Sequence, residues 1–167
     1  MIFLVNDANI LIDLLKIDLL EAFFQLNYDF QVTDMVVAEI TEDNVDELDV
    51  FFEKQRLVKQ TFTFEELAQI QLLQVEHAGL STPDCSCLYI SQKFEATFLT
   101  GDSALRRVAE QKAIAVHGVL WIFDEMVANG LLSKSDAADK LEELMVLNQR
   151  LPQTECNKRL KTWRRLV

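Results

Sequence analysis

Glycine and proline are scarce in this sequence, which has four glycines and two prolines among 167 residues. It also has no low-complexity segment and no internal repeat. Linkers and long irregular loops are usually rich in glycine and proline, so we expect short turns between packed elements and a single domain over residues 1–167. No apolar run approaches the roughly 20 residues that a bilayer span needs, so we expect no membrane contact.

Potential metal-binding and disulfide-forming residues are also few. Cys85, Cys87 and Cys156 are odd in number, two of them are separated by one residue, and only His77 and His117 could join them as soft ligands. This spacing fits neither a zinc site nor a disulfide framework. We therefore expect reduced thiols packed in the core.

Basic residues are outnumbered by acidic ones, 16 to 27, which gives a net charge of -11. Such a charge disfavours a broad phosphate-binding surface, so any nucleic-acid contact must be local or assisted by a metal. The opposite bias occurs near the end of the sequence, where basic residues cluster at Lys158, Arg159, Lys161, Arg164 and Arg165. This segment could contact phosphate groups, but we slightly favour docking on the acidic surface of the chain itself.

The N-terminal stretch Met1–Leu15 joins an apolar run to an acid. Ile2–Val5 has no polar alternation, which is typical of a strand buried on both faces in a parallel sheet. Asp7 follows at the carboxyl end of this strand, the edge where ligands gather in open α/β sheets. The stretch has no basic start, and Asp7 and Asn9 interrupt it, so it is not typical of a signal peptide and we expect a cytoplasmic protein.

Apolar runs alternate with helical patterns along the rest of the chain. Further strands are predicted at Phe30–Val32, at Leu57–Phe62 on a sheet edge, at Ala96–Thr100 and at Ile114–Val116. The helical patterns are predicted at Asn9–Asn27 as two short helices, Met35–Thr41, Asp46–Lys54, Thr63–His77, Pro83–Phe94, Ala104–Lys112, Val119–Ala128, Ser135–Asn148 and Thr154–Trp163. This alternation predicts an α/β fold with a central, mainly parallel, twisted sheet covered on both faces, and a helical C-terminal extension, residues 130–167, packed on it. Gly79 is expected to end its helix in a left-handed backbone conformation.

Acids occur at the points where strands give way to helices. Asp7 and Asp102 each lie between a strand and a helix, so parallel strands would bring them to one edge, and Asp84 lies in the first turn of a helix. Each also has a simple structural explanation, because an aspartate that caps a helix contributes about 1 kcal/mol. Glu39 lies inside a predicted helix and caps nothing. The sequence alone does not distinguish a functional acid at this position from an ordinary solvent-facing glutamate.

Four acid-containing segments resemble, in their residues and in their order, the motifs of PIN-domain nucleases of the VapC-like, toxin-type ribonuclease group. These segments are Leu4–Ile12, Val36–Ile40, Thr82–Asp84 and Phe98–Asp102. Three further segments continue the resemblance, which covers nearly the whole chain: Val116–Gly118, Gly130–Ser133 and Arg150–Pro152. The resemblance to this family rests on the four acids in this order rather than on any single segment.

The resemblance implies a three-layer α/β/α domain that hydrolyses phosphodiester bonds, most often in RNA, with one or two Mg²⁺ or Mn²⁺ ions. Asp7 and Asp102 would be direct metal ligands, and Asp84 a ligand directly or through water. Glu39 would complete the catalytic set as an outer ligand or as the group that orients the attacking water. Hard cations of this kind prefer oxygen ligands, which fits four carboxylates.

Supporting residues follow from the same comparison. Asn9 would help to hold the first acid, and Ser103 could bind a water through its hydroxyl. Many family members have a further acid at the position of Ala104, so this departure puts a second metal in doubt. RNA contacts are expected from a set of arginines: Arg106, Arg107, Arg164 and Arg165.

Two other folds with acids after their strands fit the sequence poorly. A response-regulator receiver domain would need a lysine where Val116–Gly118 stands, and a haloacid-dehalogenase-like phosphatase would need a second Asp at Asn9. The alternative that stays open is a catalytically inactive PIN-like scaffold that binds proteins. An active member could be the toxin of a toxin-antitoxin pair, held by an antitoxin-like partner whose Arg or Lys side chains enter the acidic groove, and a homodimer is also possible.

Overall fold

A computed structural model describes residues 1–40 and 45–165, and within these residues the chain forms one sheet of five strands. The strands are β1 (Phe3–Asn6), β2 (Asp29–Thr33), β3 (Leu57–Gln60), β4 (Thr97–Leu99) and β5 (Val116–His117). Every pairing is parallel, and the order across the sheet is β3-β2-β1-β4-β5. The predicted parallel sheet is confirmed, with β3 at an edge as expected. β5 lies slightly later than predicted, so its last residue is His117.

Helices connect the strands. Their bounds are α1 (Ala8–Lys16), α2 (Leu20–Phe24), α3 (Asp34–Ile40), α4 (Val45–Glu53), α5 (Phe64–Glu76), α6 (Thr82–Lys93), α7 (Ser103–Gln111), α8 (Val119–Ala128), α9 (Lys134–Leu147) and α10 (Gln153–Trp163). The predicted end of the third helix, Thr41, lies outside the described residues. None of the helices within the described ranges has the length and apolar character that crossing a bilayer requires.

The helices form two groups around the sheet. In one group α3 and α5 pack on α6, which lies against β1, β2 and β4. In the other, α8 packs against β5, α2 and α9, and α10 packs on α9. The result is the expected three-layer α/β/α fold, in which α9 and α10 are attached through buried side chains such as Leu141, Leu144 and Trp163.

The central strands are buried on both faces because their side chains are apolar without alternation. Leu4 and Val5 of β1 are fully buried, as the unbroken apolar run predicted. Phe30 of β2 packs against Phe23 and Phe24 with ring centroids 4.8 and 5.0 Å apart. A fully buried phenylalanine contributes about 1.5–3 kcal/mol relative to an exposed one, so this cluster anchors α2 to the sheet.

The ends of the helices differ from the sequence prediction. Gly79 is not left-handed, and α5 ends earlier, at Glu76. The left-handed residues that follow helices are mostly not glycines: Asp18, Gln55, Glu95, Ala113 and Gly130. At the first of these, the amide of the buried Leu19 donates to the carbonyl of Leu14 at 2.9 Å, which is the Schellman arrangement. Burial of the following apolar residue therefore ends the helix, even where no glycine relieves the backbone strain.

Candidate active site

Two of the predicted acids meet where β1 and β4 end. Asn6 of β1 pairs with Leu99 of β4, and the amide of Asp7 donates to the Leu99 carbonyl at 3.0 Å. β1 and β4 therefore end side by side. Asp7 comes directly after β1, and Asp102 comes three residues after the end of β4. The prediction that these two aspartates share the carboxyl edge is confirmed.

A buried threonine links the two aspartates. The Oγ1 hydroxyl of Thr100 donates to Asp7 Oδ2 at 2.7 Å and accepts from the amide of Asp102 at 3.1 Å. The other carboxylate oxygen of Asp7 accepts from the Ala8 amide at 2.8 Å, so this nearly buried side chain is held from both sides. The described side chain that donates to Asp7 is that of Thr100, whereas Asn9, which was expected to help hold this acid, is exposed.

Sequence reasoning missed Thr100, although one signal was present. A hydroxyl at the end of an apolar strand, directly before a glycine and an aspartate, must find a partner if the strand is buried. Thr100 is completely buried, and its two partners are the aspartates that the sequence had already singled out.

A pair of hydroxyls ties the helix that carries Asp84 to the same edge. Thr33, the last residue of β2, contacts Ser86 of α6 with the two hydroxyl oxygens 2.8 Å apart. Ser86 donates its proton to the Pro83 carbonyl at 2.6 Å, so Thr33 must be the donor to Ser86. Thr33 also accepts from the Val36 amide at 3.2 Å, which ties the starts of α3 and α6 to the end of β2.

The three aspartates are also helix caps. Asp7 and Asp102 are the N-caps of α1 and α7, and Asp102 accepts from the Leu105 amide at 2.8 Å. Asp84 forms a capping box with Ser81, whose amide donates to Asp84 Oδ2 at 2.9 Å while Ser81 Oγ accepts from the Asp84 amide at 3.1 Å. The capping explanation is therefore correct, but it does not exclude a metal, because an ionised carboxylate has about four acceptor positions.

The four acids interact electrostatically. Burial raises the pKa of Asp7, and hydrogen bonds from Thr100 and Ala8 oppose this effect, while Asp84 and Asp102 raise the pKa further. Glu39 is exposed as a residue, but nearby protein removes part of the water around its carboxyl group. This desolvation raises its pKa, and the charges of Asp7 and Asp84 raise it further. No cation is among the causes of either shift. Among the described residues, neighbouring carboxylates therefore act on Asp7 and Glu39 without a cation that offsets their effect.

A thiol lies close to this cluster. Cys87 is completely buried, and burial raises its pKa well above the ordinary value, with Asp7, Asp84 and Glu39 adding to the effect. The Cys87 thiol beside the acids is thus neutral. All three cysteines are buried and unpaired, which confirms the prediction of packed thiols.

Within residues 1–40 and 45–165, no three carboxylate, imidazole or thiol groups are placed close enough together to hold an ion. The capping bonds turn Asp84 Oδ2 and Asp102 Oδ1 towards amides of their own helices. The chemistry of the donor set nevertheless fits Mg²⁺ or Mn²⁺, because it consists of oxygen donors whose negative charges are uncompensated. Ala104 supplies no oxygen, whereas Ser103 is exposed beside Asp102.

A cleft of about 600 Å³ opens beside Asp102. Asn9, Ser103 and Arg106 line it, whereas Arg107, exposed on the same helix, is not among the lining residues that the described chain provides. The two expected RNA contacts on α7 therefore differ in position, and Arg106 is the one that faces the cleft.

Three residues of the basic end, Lys158, Arg159 and Arg164, form ion pairs with acids. The Nη2 atom of Arg164 is 2.9 Å from Asp139 and 2.8 Å from Glu142 of α9. These ion pairs support the expected docking of α10 on the acidic surface of the chain. Arg165 is exposed beside it.

A family model described as PIN domain matches residues 3–165. The matched range contains all the strands and helices of the described chain and all four candidate acids. No curated protein matches the chain.

Proposed function

We infer that this chain, which belongs to the PIN-domain family, is a divalent-metal-dependent phosphodiester hydrolase that cleaves RNA. PIN domains are generally nucleases, and they typically use divalent metals. The observation that carries the proposal is that Asp84 and Asp102 act on Asp7, and Asp7 and Asp84 on Glu39, with no cation of the described residues among the causes of either pKa shift. The neighbouring carboxylates raise the pKa values of Asp7 and Glu39, and such repulsion destabilises the fold, so the presence of these acids together favours a role in binding a cation.

Three aspartates would hold the metal. Asp7 and Asp102 would bind directly and Asp84 directly or through a water, with Thr100 holding Asp7 in position. When bound, Mg²⁺ or Mn²⁺ makes a water easier to deprotonate and stabilises the charge that develops on a phosphodiester. The carboxylate of Glu39 would accept a hydrogen bond from the attacking water, and its raised pKa brings it closer to the range of a useful base.

The number of bound ions depends on the residues that follow Asp102. Ala104 provides no ligand, so a second ion would rest on Ser103 and on waters that its hydroxyl holds. We propose that one ion binds tightly and that any second ion binds weakly.

Cleavage of a varied panel of single-stranded and structured RNAs tests the proposal. We expect cleavage with Mg²⁺ or Mn²⁺ and none with EDTA. Asp7→Asn should lower the rate by roughly 10²- to 10³-fold, which is the effect of losing several kcal/mol of transition-state stabilisation. Asp136→Asn is the control for loss of one negative charge near a helix start, because Asp136 is exposed in the first turn of α9 and is not one of the four acids.

The alternative is a PIN-like scaffold that binds proteins. It is favoured by the capping bonds of Asp7, Asp84 and Asp102, which give each acid a structural role. A protein that neither cleaves any RNA of the panel nor binds Mg²⁺ or Mn²⁺ in calorimetry would support this alternative and refute the nuclease proposal.

A biological role as a toxin extends the proposal. An antitoxin-like partner would neutralise the acidic edge with Arg or Lys side chains, which pair strongly with carboxylates. Induced expression of the wild type should then arrest growth of a bacterial host, whereas Asp7→Asn should not. Growth arrest of equal strength by both proteins would contradict a toxin that acts through this site.

A further inference from the structure

The walls of the cleft beside Asp102 include basic and aromatic side chains from several parts of the chain. His117 and Trp121 come from the end of β5 and the first turns of α8, and Arg106 comes from α7. Lys16 ends α1, and Arg150 lies in the connection between α9 and α10. A volume of about 600 Å³ is within the range of sites that bind small organic groups.

An aromatic stack forms one wall. The rings of His117 and Trp121 are parallel within 7° and have centroids 4.4 Å apart. Behind Trp121 lies Tyr28, with ring centroids 5.9 Å apart, and the Tyr28 hydroxyl donates to Glu125 Oε2 at 2.6 Å. Within the described residues His117 is the last ring of this run. Both His117 and Trp121 are half-buried, so the core does not enclose them.

The imidazole at the end of the stack is a neutral surface at neutral pH. Burial lowers the pKa of His117, and the nearby guanidinium of Arg106 lowers it further, against a smaller opposite effect of Glu125. An uncharged, flat ring can continue a stack with a nucleobase, and such stacking tolerates any base.

Positive charge collects around the same cleft in a chain of net charge -11. The charged lining residues are the bases Lys16, Arg106, Arg150 and Arg159 and the acids Asp13 and Asp102. Arg159 is engaged by Asp124, with their closest atoms 2.7 Å apart. Within the described parts of the chain, Lys16 and Arg150 form no ion pair, and Arg106 has only a long contact of 3.9 Å to Glu110. These three cations are therefore available to an anion.

We propose that this cleft is a subsite for one unpaired nucleotide of a single-stranded RNA, with its base on the His117–Trp121 stack and a neighbouring phosphate at Arg106. The inference rests on the proposed function, because Asp102 lines the cleft and would place the reacting phosphate next to this nucleotide. A base in a duplex has both faces stacked and cannot use the site. The substrate class is thus RNA that is single-stranded beside the cleaved bond.

Binding in the absence of cleavage tests the subsite. The probe is a short fluorescein-labelled single-stranded RNA, measured by anisotropy with the Asp7→Asn protein in Mg²⁺. Relative to this parent, His117→Ala and Trp121→Leu should each weaken binding by roughly 5- to 150-fold, since one stacked base contributes about 1–3 kcal/mol. Phe64→Ala is the control, because Phe64 is an aromatic residue 84% exposed on α5, outside the cleft lining.

Two further probes separate stacking from charge. An abasic strand of the same length should bind weakly, and His117→Ala should leave its affinity unchanged; an equal loss for both strands would refute stacking. Annealing the RNA into a duplex should abolish the effect of His117→Ala. Arg106→Gln should flatten the salt dependence by about 0.7 per lost phosphate contact, and Arg107→Gln should not.

The outcomes distinguish this subsite from the nuclease proposal. If the wild type cleaves RNA with metal but His117→Ala and Trp121→Leu bind as the parent does, the subsite is wrong and the nuclease stands. If binding depends on the stack while no RNA is cleaved, the subsite stands without the nuclease. Absence of measurable binding by the parent overturns the subsite. Trp121→Leu counts only if its melting temperature stays near that of the parent, and His117→Ala keeps the test decisive if it does not.

Discussion

The carboxyl edge of the sheet and the C-terminal helix α10 both concentrate charge, but they differ in how that charge is compensated. At the edge, burial and neighbouring carboxylates raise the pKa values of Asp7 and Glu39. On α10, the Arg159 guanidinium binds both oxygens of Asp124 at 2.7–3.2 Å, and Arg164 binds two acids of α9. The first region leaves like charges together, whereas the second pairs opposite ones.

This difference separates a binding site from a packing contact. Ion pairs satisfy both partners and hold one helix on another, so nothing further is needed to explain them. Like charges held together reduce the stability of the metal-free fold, and the cost is recovered only when a cation binds. The two regions should therefore respond oppositely to metal, to mutation and to pH.

The largest difference is expected in metal-dependent melting. Mg²⁺ at about a hundred times its dissociation constant should stabilise the wild type by about 2.7 kcal/mol, a shift of roughly 5–10 °C. Asp102→Asn should remove most of this shift while keeping the cap on α7, because asparagine caps as well as aspartate. Without metal, this variant should be as stable as the wild type or more so. Arg164→Gln should keep the full shift, and equal Mg²⁺ responses of wild type and Asp102→Asn would mean that Asp102 only caps.

Thr100→Val tests whether the buried hydroxyl positions the acids. Valine has a similar shape but cannot donate to Asp7 or accept from the Asp102 amide. We expect metal affinity, measured by calorimetry, to fall by about 10- to 100-fold, as is usual when a group that orients a metal ligand is lost. Thr100→Ser should restore most of the affinity, and failure of serine to do so would assign the effect to packing.

On α10 the expected effect is on stability. Arg159→Gln should lower the free energy of unfolding by about 1 kcal/mol, because it breaks a half-buried, bidentate pair with Asp124. Arg164→Gln should lower the free energy of unfolding less, because this arginine is exposed. It should also leave the salt dependence of RNA binding unchanged. Denaturant titrations and anisotropy would measure these effects. A flatter salt slope in Arg164→Gln would instead identify an RNA contact.

The smallest effect is the pH dependence of stability in EDTA. The pKa of Asp7 is higher in the folded protein, so the stability it contributes is complete below its unfolded pKa of about 3.9 and is lost as pH rises through the folded value. Relative to Asp7→Asn, the wild type should therefore lose stability as pH rises from about 4. Glu155 should behave oppositely, because Lys158 lowers its pKa and its contribution is lost as pH falls. For each variant, the difference in unfolding free energy from the wild type is plotted against pH. Slopes of the same sign for Asp7→Asn and Glu155→Gln would show that the two regions do not differ in this way.

Much of the fold could be predicted because it depends on neighbours in sequence. The apolar runs located the strands, and Asp7, Asp84 and Asp102 were recognised as helix starts because a cap bonds to amides within three positions of itself. The order of the acids then predicted the family and, with parallel strands, the shared edge.

Helix ends were less predictable because they depend on what lies beyond the helix. Gly79 looked like a helix terminator and is not, whereas Ala113 is left-handed because Ile114 must turn into the core. Such a choice depends on where buried apolar surface is available, and the local sequence does not contain that information.

The details of the site depended on contacts between distant positions. The hydroxyl of Thr100 reaches Asp7 across 93 positions, and Arg159 finds Asp124 across 35. His117, the last residue of β5, lines the cleft with its ring stacked on Trp121, a contact that the sequence did not predict. A single sequence specifies these partners only through the packing of the whole chain, because a buried hydroxyl, guanidinium or ring takes whichever partner the fold brings within reach.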